Sequence, residues 1–349
     1  MITNYEHQYI AALKDIYENG FADGVNERTG LSTKRLPGIV IRVDVGKEFP
    51  ILKSKRVFAK TADREIDWIM RKQSNDINDL NAKIWDEWAD PEVEDQNGMK
   101  HRSIGKAYGY QVAKPVDIFL DPIHKTPESF RHYDNQVAFV LEYLKELPNG
   151  RWAKINLWNV EQLSGMNLVP CCHGTDWNLD GGRLNCVLHQ RSGDMPYGVP
   201  FNTTQYAMLM CKFARHLGVK PGILTHVIAD AHIYANQMGG VKEQLAYYEM
   251  MCRLEDAHKQ YPNLWDHNPE IFKDSFKEDC KKLARDYHWE ASDNGNVEDV
   301  CQHFCDVLSC NPRYEIPEGQ NNFWTIDVEQ CKVTDYVPVK RIDFGDIAV

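Results

Sequence analysis

Close to the start of the chain the apolar positions repeat every three or four residues. Tyr9, Leu13 and Ile16 share one side of a helix, and Gly20 follows as a stop. Ile39, Ile41, Val43 and Val45 then alternate with their neighbours, which is the period of a strand. Residues 61–71 return to helical spacing with Ala62, Ile66 and Ile69 on one stripe, and Glu65 falls on that same stripe. A carboxylate on an apolar face needs a partner or a task. Alternation predicts further strands at 153–158 and at 184–188, the second leading directly into Arg191. Tyr206, Met210 and Phe213 predict a buried helix over 203–217. An apolar run at 223–229 is continued by His232 and Tyr234 at strand period. Helical pattern appears again at 275–287 and 297–309, before a loop at 312–320.

This mixture of helices and antiparallel-looking strands predicts an α+β fold, not a regular βαβ series. No composition break marks a second domain. Residues 1–349 are read as a single domain with a polar surface loop at about 90–104 and an insertion at about 273–322.

Composition narrows the function classes. With 43% hydrophobic and 26% charged residues the chain is globular and not disordered. A net charge of −11 argues against a nucleic acid as partner, because duplex binding needs a basic stripe. A small anion remains open if a few arginines converge. The first twenty residues read as an amphipathic helix and not as a secretory leader, and no apolar run reaches membrane-spanning length. A soluble cytoplasmic protein is the expectation. The ten cysteines show no zinc-ribbon spacing and are read as reduced.

The stretch 168–202, LVPCCHGTDWNLDGGRLNCVLHQRSGDMPYGVPFN, holds the densest chemistry. It offers a cysteine, an arginine at a strand end, an aspartate three residues later and an asparagine before a helix. A thiolate beside a guanidinium is favoured at neutral pH and is a better nucleophile. The same arginine can bind phosphate through two parallel hydrogen bonds. An asparagine amide carries a donor and an acceptor, so it matches the N3–H and O4 edge of uracil.

Taken in order, these motifs resemble those of the thymidylate synthase family. PCCH (170–173) resembles the nucleophile motif, and QRSGD with GVPFN resembles the substrate-binding core. DAHIY (230–234), ERTG (27–30), FPILKSKR (49–56), IWDEWAD (84–90) and the closing DIAV resemble five further blocks. The family's nucleophile stands twenty residues before the arginine of QRS, which selects Cys171 over Cys172. SNDINDLN (74–81), AYGYQ (107–111) and Gln205 resemble a subgroup that lacks the histidine usual at position 172.

The resemblance implies a large mixed sheet flanked by helices, with one sheet face forming a homodimer interface. It implies a folate-dependent one-carbon transferase acting on dUMP, with 5,10-methylenetetrahydrofolate as co-substrate and no metal. Catalysis is then expected from Cys171, Glu65, Tyr108 and Arg191. Substrate contacts are expected from Arg28, Arg151, Arg191, Asn202, His232, Tyr234 and Tyr336, with Arg151 donated across the dimer. The folate site would use Asp194, Trp85, Trp88 and Lys55. Where the family has two adjacent trans arginines, this chain has Arg151 and Trp152.

Alternatives stand beside these assignments. The fold and nucleophile also suit a dUMP hydroxymethylase, in which water replaces hydride at the last step, and a non-catalytic mRNA-binding protein is a third reading. Glu65 could pair with a buried cation, and Trp85 and Trp88 could be plain core aromatics. Cys301, His303, Cys305 and Cys310 invite a metal reading, although helix packing explains the spacing equally.

Overall fold

In the computed structural model, residues 1–22, 24–26, 29–80, 84–289 and 300–346 are described. Arg28 of the ERTG motif, the last three residues of DIAV and the acidic run at 293–299 lie outside them.

The first helix forms as its periodicity predicts. Helix α1 (Asn4–Asn19) starts at Thr3, whose side chain accepts the Glu6 N–H, and stops at Gly20. It buries Tyr5, Tyr9, Leu13 and Ile16. The other helices are α2 (Ala59–Asp67), the single turn α3 (Gly109–Val112), α4 (Gln136–Glu146), α5 (Gly198–Leu217), α6 (Met238–Gln260), α7 (Pro262–Asp266), α8 (Pro269–Asp286) and α9 (Val300–Ser309). Helix α2 runs on into one turn of π-helix at Trp68–Lys72.

A seven-stranded mixed sheet lies at the centre. Its strands are β1 (Phe21–Ala22), β2 (Thr33–Asp44), β7 (Lys154–Asn156), β8 (Cys172–Asp180), β9 (Arg183–Gln190), β10 (Gly193–Asp194) and β11 (Lys220–Tyr234). Among the described residues three small pairs complete the strand set: β3 (Val93–Glu94) with β4 (Lys100–His101), β5 (Val116–Phe119) with β6 (Phe130–Tyr133), and β12 (Arg313–Glu315) with β13 (Lys332–Thr334). The order across the main sheet is β1-β2-β11-β9-β8-β7, with β10 pairing β11. Strands β9 and β11 are parallel, while β2–β11 and β8–β9 are antiparallel.

Period-two alternation sorts the two sheet faces. Ile41, Val43, Leu184, Cys186, Leu188, Leu224 and Ile228 point inward and are buried. Their neighbours Arg42, Val187, Ile223 and Val227 face the other way and keep solvent contact, and Val40 beside them is 54% exposed.

Some expectations change. The predicted surface loop at about 90–104 contains the β3–β4 pair, and the loop at 312–320 contains β12. Strand β8 escapes a reading from alternation because its register with β9 shifts between Cys172 and Gly174. A bulge of that kind breaks the period of two. In the predicted insertion, α8 and α9 bury Phe272, Cys280, Cys301 and Phe304. Among the described residues no helix is long and apolar enough to cross a membrane.

One buried ion pair ties α2 to α5. Lys212 Nζ lies 2.6 Å from Asp63 Oδ1, with both side chains at most 2% exposed, and the Tyr314 hydroxyl donates to Asp63 Oδ2. Removing one partner strands the other charge in the core. Asp63→Ala is therefore expected to lower the unfolding free energy by about 4 kcal/mol, read as a fall in the urea midpoint.

Candidate active site

Cys171 is the residue immediately before β8, and Arg191 immediately follows β9, so the antiparallel pairing brings the two side by side. The Arg191 N–H donates to the Cys171 carbonyl at 2.9 Å. An Arg191 Nη lies 3.7 Å from Cys171 Sγ. The guanidinium is held by the carbonyls of Val169 and Pro170, at 2.8 and 3.1 Å. A cation is thus fixed against the sulfur, where it favours the thiolate. A cavity of about 420 Å³ opens beside Arg191, lined by Lys154, Trp158, His173 and His189 among others.

Tyr108 reaches the same point from another part of the chain. Its hydroxyl accepts the Cys171 N–H at 3.1 Å. Its backbone has φ of 44°, a conformation that costs a non-glycine residue about 1–3 kcal/mol. Gly109, the next residue, packs against the Ser74 backbone. A Cβ there would come within 2.1 Å of the Ser74 carbonyl oxygen, so only glycine lets the chain pass this close. Burial and the nearby Cys171 push the Tyr108 hydroxyl pKa well above its usual value.

Glu65 lies on the inner face of α2 with Ala62 and Ile66, as the apolar stripe predicts. Its Oε1 accepts the Trp85 indole N–H at 3.0 Å. Burial pushes its pKa up to about 7, against hydrogen bonds from Trp85 and Gln205 that lower it. The Trp85 ring meets Tyr108 edge-on at 5.1 Å and Trp88 at 5.7 Å. Gln205 is 2% exposed, and its Oε1 accepts from the Asn202 amide at 3.3 Å. Asn202 and Glu65 are therefore linked through Gln205, one turn along α5 from Asn202. The sequence marked Gln205 only as a subgroup likeness.

A second cluster forms where β10 meets β11, in which Asp194 is paired with His232. Asp194 accepts from the Tyr197 N–H at 3.1 Å and from the Gln237 amide at 2.9 Å. Burial raises its carboxyl pKa. The Lys55 ammonium donates to the Pro196 carbonyl and sits over the Phe344 and Tyr197 rings, at 4.7 and 5.3 Å. Burial lowers its pKa to about 8. His232 and Tyr234 meet edge-on at 5.0 Å. The C-terminal segment closes over this cluster, with Phe344 against Tyr197 and the Gly345 carbonyl accepting the Tyr197 hydroxyl. Sequence reasoning had no signal for Gln237, Tyr197 or Phe344, because contacts such as Gln237 to Asp194, 43 residues away, and Tyr197 to Gly345, 148 residues away, leave no local pattern.

The Tyr336 hydroxyl is engaged with the backbone, donating toward the Leu52 and Lys55 carbonyls and accepting the Val57 N–H. Arg151 is exposed in the turn before β7, and Trp152 stacks on Tyr143 at 6.1 Å. Cys172 faces the sheet's buried side, where burial raises its thiol pKa well above normal. In the insertion, the His303 ring contacts the Pro338 and Val339 carbonyls, and Cys310 donates to Val307. Among the described residues no group of three or more His, Cys, Asp or Glu could hold a metal ion.

A family model described as thymidylate synthase matches residues 7–274. The chain is 42% identical over 289 residues to the thymidylate synthase of Clostridium beijerinckii, covering 81% of this chain and 95% of that protein. It is 36% identical over 249 residues to the thymidylate synthase of Ascaris suum, covering 69% and 82%. The solved structure of thermostable thymidylate synthase A from Bacillus subtilis superimposes with a TM-score of 0.69 at 25% identity, covering 99% of both chains.

Proposed function

The chain belongs to the thymidylate synthase family, enzymes of folate-dependent methylation that make dTMP, and from that premise we propose how its own residues carry the reaction. The observation behind the reading is the Cys171 sulfur 3.7 Å from the Arg191 guanidinium, with Tyr108 on the Cys171 N–H.

The Cys171 thiolate adds to C6 of dUMP, which turns C5 into an enolate carbon able to attack an electrophile. Arg191 first favours the thiolate and then serves the substrate phosphate, with Arg28 as a second expected contact. Arg151 of a second copy would be the third, since it lies exposed before β7. Asn202 offers its amide to the N3–H and O4 edge of uracil, held in orientation by Gln205. His232 and Tyr234 face the deoxyribose. Tyr336 is the third expected deoxyribose contact, with its hydroxyl also donating to the Leu52 carbonyl and accepting the Val57 N–H.

Glu65 handles protons near O4 and C5. A carboxyl with a pKa near 7 is present in both forms at neutral pH, so it can accept and return a proton. Tyr108 assists removal of the C5 proton.

The residues expected to hold the folate fit it chemically: a buried carboxylate at Asp194, the ammonium of Lys55, and the Trp85 and Trp88 rings offer polar ends and flat apolar walls. 5,10-Methylenetetrahydrofolate, when bound, supplies the one-carbon unit and the hydride. The C-terminal segment around Phe344 would exclude water, so that hydride and not hydroxide ends the reaction. The half-exposed sheet face around Val40, Val187, Ile223 and Val227 is assigned to a second copy of the chain.

Incubation with dUMP and methylenetetrahydrofolate tests the reading. Dihydrofolate absorbance is expected to rise in step with dTMP. Hydroxymethyl-dUMP formed without that rise would overturn it.

A further inference from the structure

His226 sits in the middle of β11, fully buried, and takes no part in the chemistry above. Burial lowers its pKa to about 3, so the ring stays neutral. A neutral imidazole in an apolar interior still has one donor and one acceptor to satisfy. Nε2 lies 2.7 Å from Gln190 Oε1, and Nδ1 lies 3.0 Å from Thr203 Oγ1 on α5.

Counting protons fixes the directions. Gln190 Nε2 donates to the Ser192 carbonyl at 2.8 Å, so the amide oxygen is the atom facing His226. That oxygen can only accept, so the His226 proton is on Nε2. Nδ1 is then the acceptor, and it shares the single Thr203 hydroxyl hydrogen with the Val199 carbonyl, which lies 2.8 Å from Oγ1. The same Gln190 oxygen also accepts from the Cys172 thiol at 3.5 Å. Every group in the series is neutral and buried, with exposures of 0–3% for Thr203, His226, Gln190 and Cys172.

The series ends at a sensitive place. Cys172 pairs with Gln190 on one side of the β8 bulge, and the register shifts before Gly174. Gln190 thus grips Cys172, the residue after the nucleophile, and Ser192, the residue after Arg191. These two grips flank the Cys171–Arg191 pair. We propose that Thr203, His226 and Gln190 are positioning residues that lock the bulge and thereby set the Cys171 sulfur against the Arg191 guanidinium. Thr203 is anchored in α5, so the bulge takes its position from the rigid helix–sheet core and not from the loop.

The inference rests on Cys171 being the nucleophile, and the test separates the two. His226→Phe keeps ring volume but removes both nitrogens. It is expected to lower kcat about 30-fold with KM for dUMP changed less than about 3-fold, because a small misplacement of a reacting atom is costly while substrate contacts remain. Iodoacetamide labelling of Cys171, followed by peptide mass spectrometry, should slow by a similar factor. His226→Gln returns an amide N–H near the Nε2 position and should recover kcat to within about 3-fold of the parent. His226→Asn is too short to reach Gln190 and should not.

All variants are compared at a temperature where circular dichroism shows them folded. An unchanged kcat in His226→Phe, or His226→Gln no better than His226→Phe, overturns the positioning role while leaving the nucleophile intact. Should His226→Phe fail to fold, Thr203→Val carries the test: a several-fold loss of kcat at constant KM supports the series, and no loss overturns it. Absence of a 5-fluoro-dUMP adduct on Cys171 in the parent enzyme would remove the nucleophile reading, and this inference with it.

Discussion

Cys171→Ala is expected to lower kcat by roughly 10⁵-fold, the scale on which removal of an enzyme's covalent nucleophile is felt. The loss should be confined to chemistry. The side chain is small, and Arg191 keeps its hydrogen bonds to the Val169 and Pro170 carbonyls when the sulfur is gone. The cation therefore remains in place, and dUMP should still bind with an affinity within about tenfold of the parent. In the parent enzyme, 5-fluoro-dUMP with methylenetetrahydrofolate should leave a covalent adduct, because fluorine replaces the C5 proton that must depart. Fragment mass spectra should place it on Cys171. An adduct on Cys172, or turnover of Cys171→Ala near the parent rate, would sink the assignment. Structure gives a reason for the choice between these adjacent thiols. Cys172 is turned into the buried side of the sheet and donates to Gln190, while Cys171 stands beside the guanidinium.

Glu65→Gln should cost about 10²–10³-fold in kcat, as loss of a positioned proton-transfer group does. The same variant should be more stable than the parent at alkaline pH. Burial raises the folded carboxyl pKa from 4.5 to about 7. The folded state then holds its proton more tightly than the unfolded state does. Below about pH 4.5 both states are protonated and the carboxyl carries no ionisation cost. As pH rises toward 7 the unfolded chain ionises first, and the parent loses stability. Above about pH 7 the cost is complete, and 2.5 units correspond to about 3 kcal/mol. Urea unfolding of both proteins from about pH 5 to about pH 8 should show the variant's advantage growing and then levelling. A constant difference across that range would mean that Glu65 is not the titrating group. Activity and stability thus pull in opposite directions at this residue, which explains a carboxylate on an otherwise apolar stripe.

The local periodicity was enough for α1, α2, α5, β9 and β11, since each has a regular apolar stripe. It failed for β8, where the bulge after Cys172 interrupts alternation. It also gave no sign of α6, whose buried side mixes Gly240 and Gln244 with Val241, Tyr247 and Leu254. Gln244 is there to donate to Ser54, a partner 190 residues away that no local pattern records.

What the chain alone determined is which atoms are available: a cysteine, an arginine twenty positions on, an asparagine at a helix start, and a carboxylate out of place on a helix stripe. Motif order and spacing sufficed for this because they follow the covalent chain. Folding decided what those atoms do. The thiol's cation is fixed across an antiparallel strand pair, the carboxyl's proton affinity is raised by burial against the opposing hydrogen bond of an indole twenty residues away, and the cysteine's N–H is accepted by a tyrosine held at positive φ. Distances and burial of this kind arise from packing between remote segments, and burial is what moves a pKa.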